Sequence, residues 1–267
     1  MQRKLWGEYV WGKQSIQQLS TKTGRSHVWI RKQLEQSRLS SGEVSPTATV
    51  MVADVTFWGR SYGVCVFRSP TLKRNLWSKE VVTETPAIYA EGYESLKQQG
   101  WTFTGVVIDG KRGVAKVFED IPIQTCQFHQ VKIVTKYLTR RPKTEAGQKL
   151  REIALCLKDS NEIGFTTLLK SWHTRWESFL SERTPCAGFE PAHWPFTHRK
   201  LRSAYRSLRT NVPSFFTYQK YPEMKMPNTT NCLDGMFSQL KNRLNVHRGA
   251  KQKFRYKLIQ EILKGKD

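Results

Sequence analysis

Apolar residues change their spacing three times along this chain. Over residues 1–37 they recur at helical intervals, and RKLWGEYV, SIQQLSTKT and HVWIRKQLEQ read as three short helices. Ser15 and Ser26 stand as N-caps, and Gly24 breaks the second helix from the third. Ile16, Leu19, Ile30 and Leu34 form the inner face, which turns His27, Val28, Arg31 and Lys32 outward. Helix, tight glycine turn, helix is the helix-turn-helix layout, whose last helix enters a major groove. Small trihelical units that bind no DNA share it, so both readings stand at this level.

Residues 38–47, RLSSGEVSPT, have the composition of a linker. Beyond it the spacing becomes that of strands. TVMVADVTF, YGVCVFRS and NLWSKEVV predict three strands joined by short turns. PAIYAEGYESLKQQG predicts a helix closed by Gly100, and WTFTGVVIDG a further strand. GVAKVFED reads as a short helix, IPIQTCQF as a short strand and HQVKIVTKYLTRR as a basic helix. The class expected for residues 48–142 is therefore a mixed α/β layer. Residues 143–220 carry helical spacing throughout and predict an all-helical insertion, broken by TPCAGFEPAHWP. Within it, Trp172, Trp176 and Phe179 share one face, readable as core, as a dimer contact or as a platform for bases. Residues 221–267 predict two closing helices, the first with the stripe Leu233, Phe237, Leu240 and Leu244.

Charge adds a partner to this outline. The chain of 267 residues carries 44 Lys and Arg against 22 Asp and Glu, a formal charge of +22, which points to an acidic polymer. Its 38% hydrophobic and 12% aromatic content separates it from a disordered basic tail. No apolar run reaches the length of a membrane span, and no apolar segment follows the basic start, so neither a span nor a signal peptide is expected. Five scattered cysteines fit reduced thiols better than a disulfide framework. Cytoplasmic residence is the default expectation.

Candidate chemistry centres on two carboxylates. Asp54 closes the apolar run VMVAD, and Asp109 closes FTGVVID. A buried strand seldom ends in a carboxylate without a compensating partner. Two such ends can share Mg²⁺ or Mn²⁺, hard cations that take oxygen ligands. The plainer reading is that each Asp caps a turn. Lys111 and Arg112 follow Asp109 and either hold a phosphate or lie in a solvated turn. Arg199, Arg202 and Arg206, with Lys200 and Arg209, form a nucleic-acid track or a solvated face. Cys126 and His129 make a Cys-x₂-His pair. It either begins a zinc site with Cys186, His193 or His198, or, as the spacing favours, places Cys126 at a strand end and His129 as the cap of the next helix. His247 and Arg248 sit at a helix end, where a phosphate contact and a dipole contact are equally open.

The order Asp54, Asp109, Cys126-Gln-Phe-His129 and TTNCLDGMFSQLKNRLNVHRG resembles the prokaryotic and Mutator-like DDE transposases, in particular the insertion-sequence branch of variant zinc-binding type. RSPTLKRNLW, VVIDGKRG, THRKLRSAYRSLRTN and FTYQKYPE belong to the same pattern. The resemblance implies an RNase H-like domain interrupted by a helical insertion. Asp54, Asp109 and Asp234 would then be the catalytic acids holding two Mg²⁺ or Mn²⁺ ions, with Cys126 and His129 in support. Asp234 stands where the wider superfamily carries Glu. No CxxC precedes the first helices, so the resemblance is to a form without the N-terminal zinc ribbon. The partners implied are double-stranded DNA of element ends and target, and a second copy of the chain. A catalytically silent, DNA-binding relative and a nuclease of the same fold are the alternatives. On the helix-turn-helix reading, Arg31→Ala reduces discrimination between element ends and random DNA by about 1–3 kcal/mol. Competition binding measures this, and a loss equal on all sequences marks Arg31 as a phosphate contact.

Overall fold

The computed structural model describes residues 1–39, 44–60 and 62–265. Positions 40–43 of the expected linker lie outside the described residues. Three helices open the chain, α1 (Gln2–Val10), α2 (Ile16–Thr23) and α3 (His27–Gln36). Strands β1 (Ala48–Phe57), β2 (Gly63–Ser69) and β3 (Arg74–Val81) follow, then α4 (Pro86–Gln98) and β4 (Thr102–Ile108). After β5 (Ile123–Thr125) the chain is helical: α5 (Gln127–Leu138), α6 (Glu145–Leu155), α7 (Glu162–Ser181), α8 (Arg199–Phe215) and α9 (Thr217–Lys220). Helices α10 (Asn231–Asn245) and α11 (Gln252–Lys264) close it. The strands form a mixed five-stranded sheet in the order β3-β2-β1-β4-β5. The chain divides into two compact units, residues 1–102 with 231–267, and residues 103–230.

In the first unit, the caps expected from sequence are in place. Ser15 accepts the amide of Gln18 in a reciprocal capping box, Ser26 accepts the amide of Trp29, and Gly24 takes the left-handed conformation that ends α2. Strands β1 to β3 form an antiparallel meander, with Asp54 opposite Val66. Strand β1 does not stop at Asp54. It runs on to Phe57, because Val55, Thr56 and Phe57 continue the pairing with β2, so Asp54 lies inside a strand. Leu233, Phe237, Leu240 and Leu244 are buried along α10, which packs on β1.

The opening helices pack against the closing ones. Trp6 meets Phe254 edge-on, and Lys257 Nζ donates to the carbonyls of Leu34 and Glu35 at 3.1 and 2.6 Å. His247 is buried and stacked on Tyr9, with ring centroids 3.9 Å apart. Its Nε2 donates to the Tyr9 carbonyl at 3.1 Å.

In the second unit, β4 and β5 are parallel neighbours. A separate core of Phe165, Leu169, Trp172, Leu208, Phe215 and their neighbours joins α5 to α8. Trp172 is buried there, its indole donating to the Ala146 carbonyl at 3.0 Å, while Trp176 and Phe179 pack on the edge. The shared face of these three is thus core. Among the described residues, no helix is long and apolar enough to cross a membrane.

Burial holds the His247 imidazole below its ordinary pKa, against the opposing pull of the Tyr9 carbonyl. The unfolded chain therefore binds its proton first as pH falls. The contribution is fully present above about pH 6.5, the ordinary histidine value, and is lost progressively below it. Urea midpoints at about pH 7.5 and 5.5 should differ less in His247→Gln than in the parent. An unchanged difference removes His247 as the cause.

Candidate metal centre

Two of the three expected acids meet within one unit. Asp54 is buried on β1, and its Oδ1 accepts the amide of Val55 at 2.7 Å. Asp234 lies in the first turn of α10, beside the buried Leu233. Once that apolar stripe is seated, helical spacing brings Asp234 to the margin of the contact with β1. One carboxylate oxygen from each lies within 4.8 Å of the other. Two negative groups this close repel unless a cation or proton stands between them. Asp234 Oδ2 is buried and, among the described residues, meets no hydrogen-bond donor. An orphaned carboxylate oxygen beside a second carboxylate is a donor set suited to a hard divalent cation. The same field reaches Cys65 on β2. Its thiol is held well above the ordinary range, first by burial and then by Asp54 and Glu84.

The second unit carries the other candidates. Asp109 follows β4 directly and is half-buried, with Oδ1 accepting the amide of Lys111 at 2.8 Å. The turn is made possible by Gly110, whose φ of +84° is open to glycine. Cys126 stands at the end of β5 as expected, its amide donating to the Ile108 carbonyl at 2.7 Å, but it takes the cap role expected of His129. Helix α5 begins at Gln127, two residues early, because Cys126 is its N-cap: Sγ accepts the amide of His129 at 3.5 Å. His129 is therefore the capped residue of the first turn.

Thr230 closes this corner. Its amide and hydroxyl both reach Cys126 Sγ, at 3.3 and 3.4 Å, and its Oγ1 lies 3.2 Å from His129 Nδ1. The Cys126 thiol is buried, which alone raises its pKa, yet the hydrogen bonds from His129 and Thr230 leave it below the ordinary value. Thr230 directly precedes α10. Nothing local to TTNCLD signals a partner more than a hundred positions earlier.

The basic candidates divide by exposure. His27, Arg31 and Lys32 are exposed on α3 beside Val28, as helical phase requires. Lys111 and Arg112 lie exposed after β4, Arg199 and Arg206 on α8, and Arg248 after α10. Arg202 is half-buried. It donates to the Leu180 carbonyl at 2.8 Å and its guanidinium lies 3.6 Å from the Phe196 ring centroid. His247 makes neither of the contacts considered for it, since its ring is enclosed against Tyr9.

No family model matches this chain, and no curated protein matches it. One solved structure, a Drosophila P element transposase strand transfer complex, is similar over 90% of this chain and 85% of that chain, with 10% identity and a TM-score of 0.42.

The carboxylate pair generates its own test. Asp234→Asn removes one of two close negative charges, so the metal-free variant should melt at the same temperature as the parent or above it. Added Mn²⁺ should raise the melting temperature of the parent and not of the variant. Scanning fluorimetry measures both, and equal Mn²⁺ stabilisation of the two excludes Asp234 as a ligand.

Proposed function

We propose that this chain is a transposase of the prokaryotic and Mutator-like DDE group, cleaving insertion-element ends and joining them to target DNA. The observation that carries the chemistry is the Asp54–Asp234 pair, with its orphaned oxygen, in a chain of charge +22. The proposed Mg²⁺ or Mn²⁺ ligands are Asp54 and Asp234, whose carboxylates lie close enough to share a cation. Asp109 is assigned to the same chemistry through the sequence resemblance. With one oxygen held by the Lys111 amide, its other oxygen is the one proposed to serve.

A divalent cation bound there would lower the pKa of a water or a DNA 3′-hydroxyl and offset charge on the leaving oxygen. The chain's own residues do the rest. Asp54 and Asp234, fixed by strand pairing and by the α10 stripe, place negative charge at one point. Lys111, Arg112, Arg199 and Arg206 are proposed to hold phosphates, and His27, Arg31 and Lys32 to read bases at the element end. The mixed sheet and the helical stretch between β5 and α10 are the arrangement an RNase H-like domain with an insertion requires. A second copy of the chain is proposed to join on DNA, because two ends must be handled together.

The test is cleavage of DNA carrying the flanking repeats in Mg²⁺. Asp54→Ala should abolish cleavage and leave DNA affinity equal or slightly higher, because the change removes a negative charge that faces phosphate. Parental cleavage by the variant refutes the assignment. Salt-dependent binding without cleavage by the parent supports the silent, DNA-binding reading instead.

A further inference from the structure

Helix α8 carries its arginines in phase. Arg202, Arg206 and Arg209 stand at i, i+4 and i+7, so their side chains leave one face of the helix as neighbours. With α7, that face encloses a cavity of about 330 Å³, lined by the three arginines and by His173, Tyr205 and Thr210. No aspartate or glutamate lines it. Among the described residues, Arg206 and Arg209 make no ion pair. Like charges three and four positions apart on a helix repel one another. The arginines cannot turn away, because Leu201, Ala204, Leu208 and Val212 bury the other side of α8 and fix its rotation.

The rest of the cavity is rigid. Tyr205 stacks on Trp172 with centroids 5.3 Å apart, and His173 stacks on Tyr205 at 4.7 Å. Trp172 is itself held in the core by the Ala146 carbonyl. Arg202 is held by the Leu180 carbonyl and the Phe196 ring, so it contributes its charge from where it stands. Arg206 and Arg209 are exposed, and their N–H groups meet no acceptor among the described residues. A guanidinium presents paired donors that match two oxygens of a phosphate. Two such forks at one cavity, beside a third fixed positive charge, suit a single group rich in oxygens.

The same face extends beyond the cavity. Arg199, three positions before Arg202, continues the stripe and is exposed. From Arg199 to Arg209 the stripe runs about 15 Å at 1.5 Å per residue. One strand of DNA carries a phosphate every ~3.4 Å of axis, so the stripe matches a polymer and exceeds what a free phosphate needs. The aromatic rings of the cavity are stacked on one another, which leaves the backbone, and not the bases, as the part contacted.

We infer that Arg206 and Arg209 together seat one phosphate of a DNA strand, with Arg202 as a fixed charge beside it and the His173–Tyr205 pair as its wall. The inference rests on the DNA-binding part of the proposed function and gives it a particular site.

The experiment measures affinity of the full chain for a random-sequence duplex as a function of salt. Log affinity falls with log salt by about 0.9 for each phosphate neutralised. Because the two arginines share one phosphate, Arg206→Ala/Arg209→Ala should reduce that slope by about 0.9. The double variant should lose little more affinity than the weaker of the two single variants. Arg206→Lys keeps the charge and loses the fork, so it should recover only part of the loss seen in Arg206→Ala. A slope reduced by about 1.8, with losses that multiply, means two separate phosphates and overturns the inference. Parental affinity and slope in the double variant overturn it as well. The melting temperature of the double variant should equal or exceed that of the parent, since like charges have been removed. A fall in it alongside the affinity assigns the effect to folding and overturns the inference. Inorganic pyrophosphate is the second probe. Pyrophosphate binding that the double variant loses, in a parent that does not bind DNA, makes this a small-anion site and also overturns it. DNA binding with the expected slopes but without cleavage removes the transposase reading and leaves the seat standing.

Discussion

The repulsion between Asp54 and Asp234 is the constraint around which the first unit is built. Neither carboxylate can retreat. Asp54 is held inside β1, between Ala53 and Val55, by pairing with β2. Asp234 is held by the turn of α10 that buries Leu233. Separating them would break strand pairing or expose a leucine stripe, and burying a leucine side chain is worth about 1.5–3 kcal/mol. The apolar packing is therefore strong enough to hold an electrostatic arrangement that is unfavourable by itself. Leaving the buried Asp234 Oδ2 without a partner adds a cost of about 1–3 kcal/mol, which a bound cation or a proton would offset.

Much of the fold was legible because it is written in local chemistry. Ser15, Ser26 and Gly24 mark helix ends by side-chain and backbone properties that need no tertiary context. The alternation in TVMVADVTF and YGVCVFRS gives strands, and the spacing of Leu233, Phe237, Leu240 and Leu244 gives the buried face of α10. The errors arose where a longer-range partner decides. Asp54 closes the apolar run VMVAD, but the strand does not end with that run, because Val55, Thr56 and Phe57 keep their pairing with β2. Cys126 does stand at the end of β5, but the cap of α5 is its thiol and not His129, and this draws Gln127 and Phe128 into the helix.

The site was legible in part for the same reason. Apolar runs closing on Asp54 and Asp109 are visible in one dimension, and Asp234 came from the resemblance. The involvement of Thr230 was not visible, because its meaning lies in a sulfur and an imidazole about a hundred positions earlier in the chain. Likewise His247 sits in a basic helix-end motif, NVHRG, that suggests a surface role. Only the stacking on Tyr9 shows that the ring is part of the packing between the first and last helices.

Part of the net charge is committed to contacts within the protein. Arg202 belongs to a basic run on α8, but its guanidinium covers Phe196 and its hydrogens go to the Leu180 carbonyl. Lys257 gives its hydrogens to the carbonyls that end α3, and burial lowers its pKa. These cations hold the protein together and would lose those contacts if they turned toward phosphate. Arg199 and Arg206 on α8, and His27, Arg31 and Lys32 on α3, are exposed and make no comparable commitment among the contacts described above. Substitution of Arg202 or Lys257 is thus expected to act first through folding, whereas loss of the exposed set should leave folding nearly unchanged.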